Sequence, residues 1–83
     1  MIRDVLPCAC CGQLTILGEY DRCPVCYWVA DRIQESDPTR IDGANRVSLI
    51  EAQANYRTFG AAEQGHVEDV RRPAPGEIPT DGT

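Results

Sequence analysis

Eighty-three residues with a formal net charge of −5 confine this chain to one small domain. All eight basic residues are arginine and none forms a stripe: residues 1–60 hold eight acids and six arginines, residues 61–83 five acids and two arginines. Nucleic-acid binding is therefore disfavoured, and no apolar run approaches membrane-spanning length.

So short a chain builds a marginal core, and below roughly 70–80 residues metal or disulfides commonly compensate. The cysteines answer that need. Cys8-Ala9-Cys10-Cys11-Gly12 and Cys23-Pro24-Val25-Cys26 read as C-x2-C, an eleven-residue gap, and C-x2-C. Two residues between thiolates let one tight turn aim both sulfurs at one ion, and backbone N–H groups in such turns offset the charge on sulfur. Glycine after the second cysteine permits backbone conformations closed to other residues. Cys8, Cys11, Cys23 and Cys26 are the expected ligands, in the closed tetrahedral pattern of structural zinc; iron is the alternative ion for the same four thiolates. No apolar h-region precedes the first cysteine, so a cytoplasmic location is expected, where thiols bind metal rather than pair. Five cysteines, an odd count, also argue against a closed disulfide framework.

Gln13–Leu17, a Gly18-Glu19 turn and Tyr20–Arg22 read as a short hairpin with one cysteine knuckle at each end. Tyr27–Ala30 suits a third strand, with Trp28, the only tryptophan, packed beside the sulfurs. Residues 34–46 contain Asp37-Pro38 and Asp42-Gly43, both turn formers, and read as a loop. Residues 48–59 form the main helix. Ser48 is its N-cap with Glu51 three positions on, Leu49, Ala52, Tyr56 and Phe59 share a face, and Gly60 stands at C′. Gln53, Asn55 and Arg57 fall on the expected solvent side. Beyond residue 60 the periodicity is lost. Pro73, Pro75, Gly76 and Pro79 with scattered acids read as an extended or disordered tail, Val67 and Val70 as anchors, and the last eight or so residues as mobile.

Other motifs carry less. Cys10, inside the first knuckle, reads as a small buried hydrophobe, against a reactive thiol or an alternative ligand. His66-Val67-Glu68 superficially matches the H-x-E of zinc deaminases, but it follows the C-x2-C pair instead of preceding it; a solvated surface histidine is the reading, against a replacement ligand. Thioredoxin-like chemistry needs a βαβ context that is missing. No enzyme is expected.

The strings Cys8–Gly12, Cys23–Trp28, Gly43–Leu49 and Ala54–Gly60, in that order, resemble the bacterial cysteine-rich CPCC family over roughly residues 6–60, and Val70-Arg71-Arg72-Pro73 is similar to that family's usual end. The chain departs at Ala9, where the family name has proline, and at Val29-Ala30, where the family has acids. The resemblance implies a small, stand-alone, zinc-binding bacterial domain and implies no reaction. Asn45, just before the helix, is expected to hold its loop by local hydrogen bonds rather than contact a ligand.

The expected fold is a small metal-stabilised α+β domain, a zinc-ribbon-like hairpin packed on one C-terminal helix over residues 1–60, followed by the 61–83 acidic tail. The expected function is a non-catalytic zinc module that binds a protein, a basic partner suiting its acidic surface, as an adaptor or inhibitor. C-x2-C-G followed closely by C-P-V-C also looks like the rubredoxin centre of rubrerythrins. Iron electron transfer is thus the main rival and a nucleic-acid-binding ribbon the third reading.

Overall fold

The computed structural model describes residues 5–79. The architecture is a small metal-stabilised α+β fold: a two-stranded antiparallel sheet, one main helix and a cysteine cluster between them. Strand β1 is Leu6–Pro7 and strand β2 is Leu14–Ile16, with Leu6 opposite Ile16 and Pro7 opposite Leu14. Helix α1 spans Arg32–Ser36 and helix α2 Leu49–Phe59, and single 3-10 turns follow at Gln64–His66 and Pro75–Glu77.

The strands pair differently from the sequence expectation. Residues 14–16 do not pair forward with 20–22; they pair back across the first knuckle with 6–7. The second knuckle has its own narrow ribbon, where Arg22 bridges Val29, the Tyr20 N–H donates to the Ala30 carbonyl and the Ala30 N–H to the Asp21 carbonyl. Each cysteine pair is thus the turn of its own hairpin. A turn that already reverses the chain pairs its immediate flanks with little loop-closure cost.

Residues 34–46, expected as plain loop, are tightly organised together with their flanks. Asp31 caps α1, its Oδ1 accepting the Ile33 and Gln34 N–H groups, and its Oδ2 accepts the Ala44 N–H at 2.9 Å. These N–H groups, that of Ala44 foremost, hold the Asp31 carboxyl below its ordinary value despite its burial. Gln34 is fully buried and donates to the carbonyls of Arg40, Asn45 and Val47. A Cβ at Gly43 would stand 2.7 Å from Gln34 Cδ and 2.8 Å from Asp31 Oδ2, so only glycine lets the loop lie this close.

Helix α2 begins and ends as its sequence indicates. The Ser48 hydroxyl accepts the Glu51 N–H at 3.1 Å, and Gly60 adopts the left-handed conformation at φ 88°. Leu49 and Ala52 enter the core and Tyr56 packs against it. Past the helix the chain turns back on the domain, burying Ala61 and Ala62. Val67, one of the two expected anchors, is exposed, and Val70 is half-buried. The expected mobile end falls partly on residues 80–83, outside the described residues. Among the described residues no helix is long and apolar enough to cross a membrane.

Candidate metal centre

The two knuckles share one backbone design. In the first, the Cys8 N–H donates to the Gln13 carbonyl and the Gly12 N–H to the Cys8 carbonyl, both at 2.8 Å. In the second, the Cys23 N–H donates to Trp28 at 2.8 Å and the Tyr27 N–H to Cys23 at 2.7 Å. The residue after each second cysteine is left-handed, Gly12 at φ 82° and Tyr27 at φ 78°. Closing the turn onto the first cysteine's carbonyl demands this conformation. Glycine adopts it freely; a non-glycine residue carries a cost of about 1–2 kcal/mol.

These turns bring the sulfurs of Cys8, Cys11, Cys23 and Cys26 together, all within 4.8 Å of one another. Cys8 and Cys26 approach to 3.5 Å and Cys11 and Cys23 to 3.7 Å. Metal–sulfur bonds of about 2.3 Å in a tetrahedron place sulfurs about 3.8 Å apart. The four sulfurs therefore stand where one tetrahedral ion requires them, and they are placed to hold a metal ion. Cys8, Cys23 and Cys26 are buried and Cys11 is half-buried.

Sulfurs this close oppose one another's ionisation. Hydrogen bonding to Cys11 is the main push that lifts the Cys8 thiol above its ordinary value, bonding to Cys23 lifts Cys11, and bonding to Cys10 lifts Cys26. Cys23 is driven the opposite way, chiefly by Cys11, and the Thr15 hydroxyl also donates to it at 3.0 Å. A divalent cation held by the four sulfurs would offset this conflict, because its attraction for each thiolate would outweigh their mutual repulsion.

The surrounding shell fits the role. Trp28 is fully buried in the cysteine cluster, as expected, and its indole N–H donates to Glu35 Oε2 at 3.0 Å. Cys10 is not one of the four. It occupies the third knuckle position, as Val25 does in the second knuckle, and both are buried and apolar in role. His66 does not replace a ligand; its ring lies over Tyr27 with centroids 4.2 Å apart.

Both turns are braced from the C-terminal half. Gln53 Nε2 donates to the Ala9 carbonyl at 2.9 Å. The N–H of Ala62 donates to the Cys26 carbonyl at 2.7 Å and that of Arg71 to the Pro24 carbonyl at 3.2 Å. Asn55, also expected to face solvent, donates to the Ala62 carbonyl at 2.9 Å and so fixes the segment that carries the second brace. Hydropathy periodicity assigned Gln53 and Asn55 to the wet side because it does not register a polar side chain seeking a carbonyl.

The model of the cysteine-rich CPCC family matches residues 6–77. The chain belongs to the cysteine-rich CPCC family. No curated protein matches it. The CPCC match runs beyond α2 and takes in the braces at Ala62 and Arg71 together with both knuckles. The CPCC run itself is Cys8-Ala9-Cys10-Cys11 here, so alanine stands where its counterpart in the second knuckle is Pro24. Asn45 acts as expected for a loop anchor. Its carboxamide accepts from the Val29 N–H at 2.8 Å and donates to the Val29 carbonyl at 2.9 Å and to Gln34, extending the second ribbon as a strand would.

Proposed function

We propose that this CPCC protein is a non-catalytic zinc module whose ion is structural, and that it acts by binding a protein partner as an adaptor or inhibitor. The observation that carries the reading is the closed four-sulfur shell. Four thiolates leave no coordination position for substrate or water, which suits a structural ion and not a catalytic one. Zinc is favoured over iron because Tyr27 follows the second pair where a rubredoxin-like centre has glycine, and because helix α2 has no rubredoxin counterpart. The net charge of −5 suits a basic protein surface and opposes nucleic acid.

Two measurements test this. Absorption spectroscopy on aerobically purified protein is expected to show a colourless zinc form; a red, reducible protein would move the reading to iron electron transfer. Affinity capture with the intact chain, set against Cys26→Ser, followed by titration of the captured protein in purified form, is expected to yield a partner that binds only the metal-loaded fold. A salt-sensitive shift of DNA or RNA at physiological ionic strength would replace the protein partner with a nucleic acid.

A further inference from the structure

A cleft of about 410 Å³ opens beside the second knuckle, and no cysteine is among the residues that line it. Its lining joins three segments distant in sequence: Arg22 and Tyr27 from the second ribbon, Asn45 and Arg46 from the loop before α2, and Glu63 and His66 from the turn after α2. That volume lies in the range of small-molecule sites.

Three observations converge on an anionic ligand. First, Arg22 and Arg46 both line the cleft, both are exposed, and neither has a carboxylate partner among the described residues. The arginines with carboxylate partners, Arg32, Arg40 and Arg71, lie elsewhere. In a chain of net charge −5, a lining with two arginines that lack carboxylate partners against one carboxylate is locally basic. One carboxylate, Glu63, is also in the lining, 3.9 Å from His66 Nε2, and Asp69 stands 3.2 Å from His66 Nδ1; these contacts are ion pairs only when His66 is protonated.

Second, Tyr27 is retained in a backbone conformation where its counterpart in the first knuckle is glycine. The strain is tolerated for a side chain that builds the cleft wall. The Arg22 guanidinium lies 4.3 Å from the tyrosine ring centroid and the His66 ring 4.2 Å from it. Tyr20 is left-handed too, at φ 66°, and is outside this lining, so what marks Tyr27 is the place of its side chain in the wall rather than the strain itself.

Third, the loop carrying Arg46 is fixed from beneath. Asn45 is buried and fully bonded to Val29 and Gln34, so it contacts no ligand; it is a positioning residue that sets its neighbour Arg46 at the rim.

The geometry points to this cleft as a binding site for a small oxyanion ligand, a phosphate monoester or a carboxylate, held by Arg22 and Arg46, with Tyr27 in the wall beneath the Arg22 guanidinium. Guanidinium groups recognise both oxyanions through charge-assisted hydrogen bonds. The site is independent of the protein-partner reading above: a metal-loaded chain that binds the anion and captures no protein keeps this inference and loses that one.

The test is an amide and arginine side-chain NMR titration of the full, metal-loaded chain with inorganic phosphate and, separately, acetate, each against chloride at matched ionic strength. Saturable shifts confined to Arg22, Tyr27, residues 44–47 and His66 are expected. The stronger of the two anions identifies the ligand class. Arg22→Gln and Arg46→Gln should each weaken binding about tenfold, while Arg57→Gln, exposed on α2, should not change it. Tyr27→Gly should retain the metal and the melting temperature yet lose saturation, which separates a binding role from a structural one. Shifts no larger than with chloride, or spread equally over Arg57 and Arg32, would overturn the site. So would Arg22→Gln and Arg46→Gln variants that bind as the parent does.

Discussion

The two cysteine knuckles are the same turn built twice, and their differences separate structure from function. Position by position, Cys8-Ala9-Cys10-Cys11-Gly12 matches Cys23-Pro24-Val25-Cys26-Tyr27. Both make the same two backbone hydrogen bonds, bury the side chain at the third place, have the second-place carbonyl braced from the C-terminal half, and are left-handed at the fifth. The first knuckle meets the left-handed requirement with glycine and presents nothing beyond it. The second meets it with tyrosine, follows it with the core tryptophan, and flanks it with Arg22. Both knuckles grip; the second also sends Arg22 and Tyr27 into the lining of a cleft.

The largest effect should be common to both turns. Cys11→Ser and Cys26→Ser are each expected to abolish tight metal binding and unfold the chain, since structural sites contribute about 10–16 kcal/mol of apparent binding energy in finger peptides. Far-UV circular dichroism reads the outcome; a folded single-knuckle variant would break the equivalence. Acid should act on both turns together. The raised thiols of Cys8, Cys11 and Cys26 hold protons more firmly, so protons compete better as pH falls. Chelator competition at about pH 7.5 and about pH 5.5 should show weaker metal binding at the lower value. Asp31, whose carboxyl is depressed, stabilises the fold above its unfolded value of about 3.9 and loses that contribution only as pH falls further. Acid unfolding should therefore follow the sulfurs and not Asp31.

Next in size, Trp28→Ala should cost about 3–5 kcal/mol, because it empties the core beside the second knuckle and strips Glu35 of its indole partner. Urea denaturation of the metal-loaded protein measures it. The fifth knuckle position then sharpens the contrast. Gly12→Ala should destabilise by about 1–2 kcal/mol, whereas Tyr27→Gly should fall near zero, relief of strain offsetting a lost cation–π contact of about 0.5–1 kcal/mol and a looser unfolded chain. Equal costs at both positions would remove the case for a special role of Tyr27. Smallest of all, Cys10→Ala should leave metal stoichiometry unchanged, as fits a residue that fills the place of Val25.

Features written in short range were legible in the sequence. The sulfur pairs, the Ser48 cap and the Gly60 terminator each depend on residues within one turn of chain, so spacing alone revealed them. Strand pairing was not, because both assignments satisfy the same alternation and only the closed knuckle decides between them. Helix α1 was missed since five residues are too few for a periodic signal, although Asp31 followed three places on by Gln34 has the form of a capping box. The braces from Gln53 and Asn55 were hidden for another reason: their carbonyl partners are 44 and seven residues away and carry no side-chain pattern. The cleft beside Tyr27 joins residues 22 to 66, and no local reading assembles it.

The central claim is that a single ion, gripped by both knuckles, organises the fold. Metal analysis of gently purified protein, followed by circular dichroism and tryptophan emission before and after chelation, tests it most directly. One metal per chain and loss of ordered structure over at least residues 5–30 on stripping are expected. Protein that carries no metal, or that keeps both spectra unchanged once stripped, would contradict it.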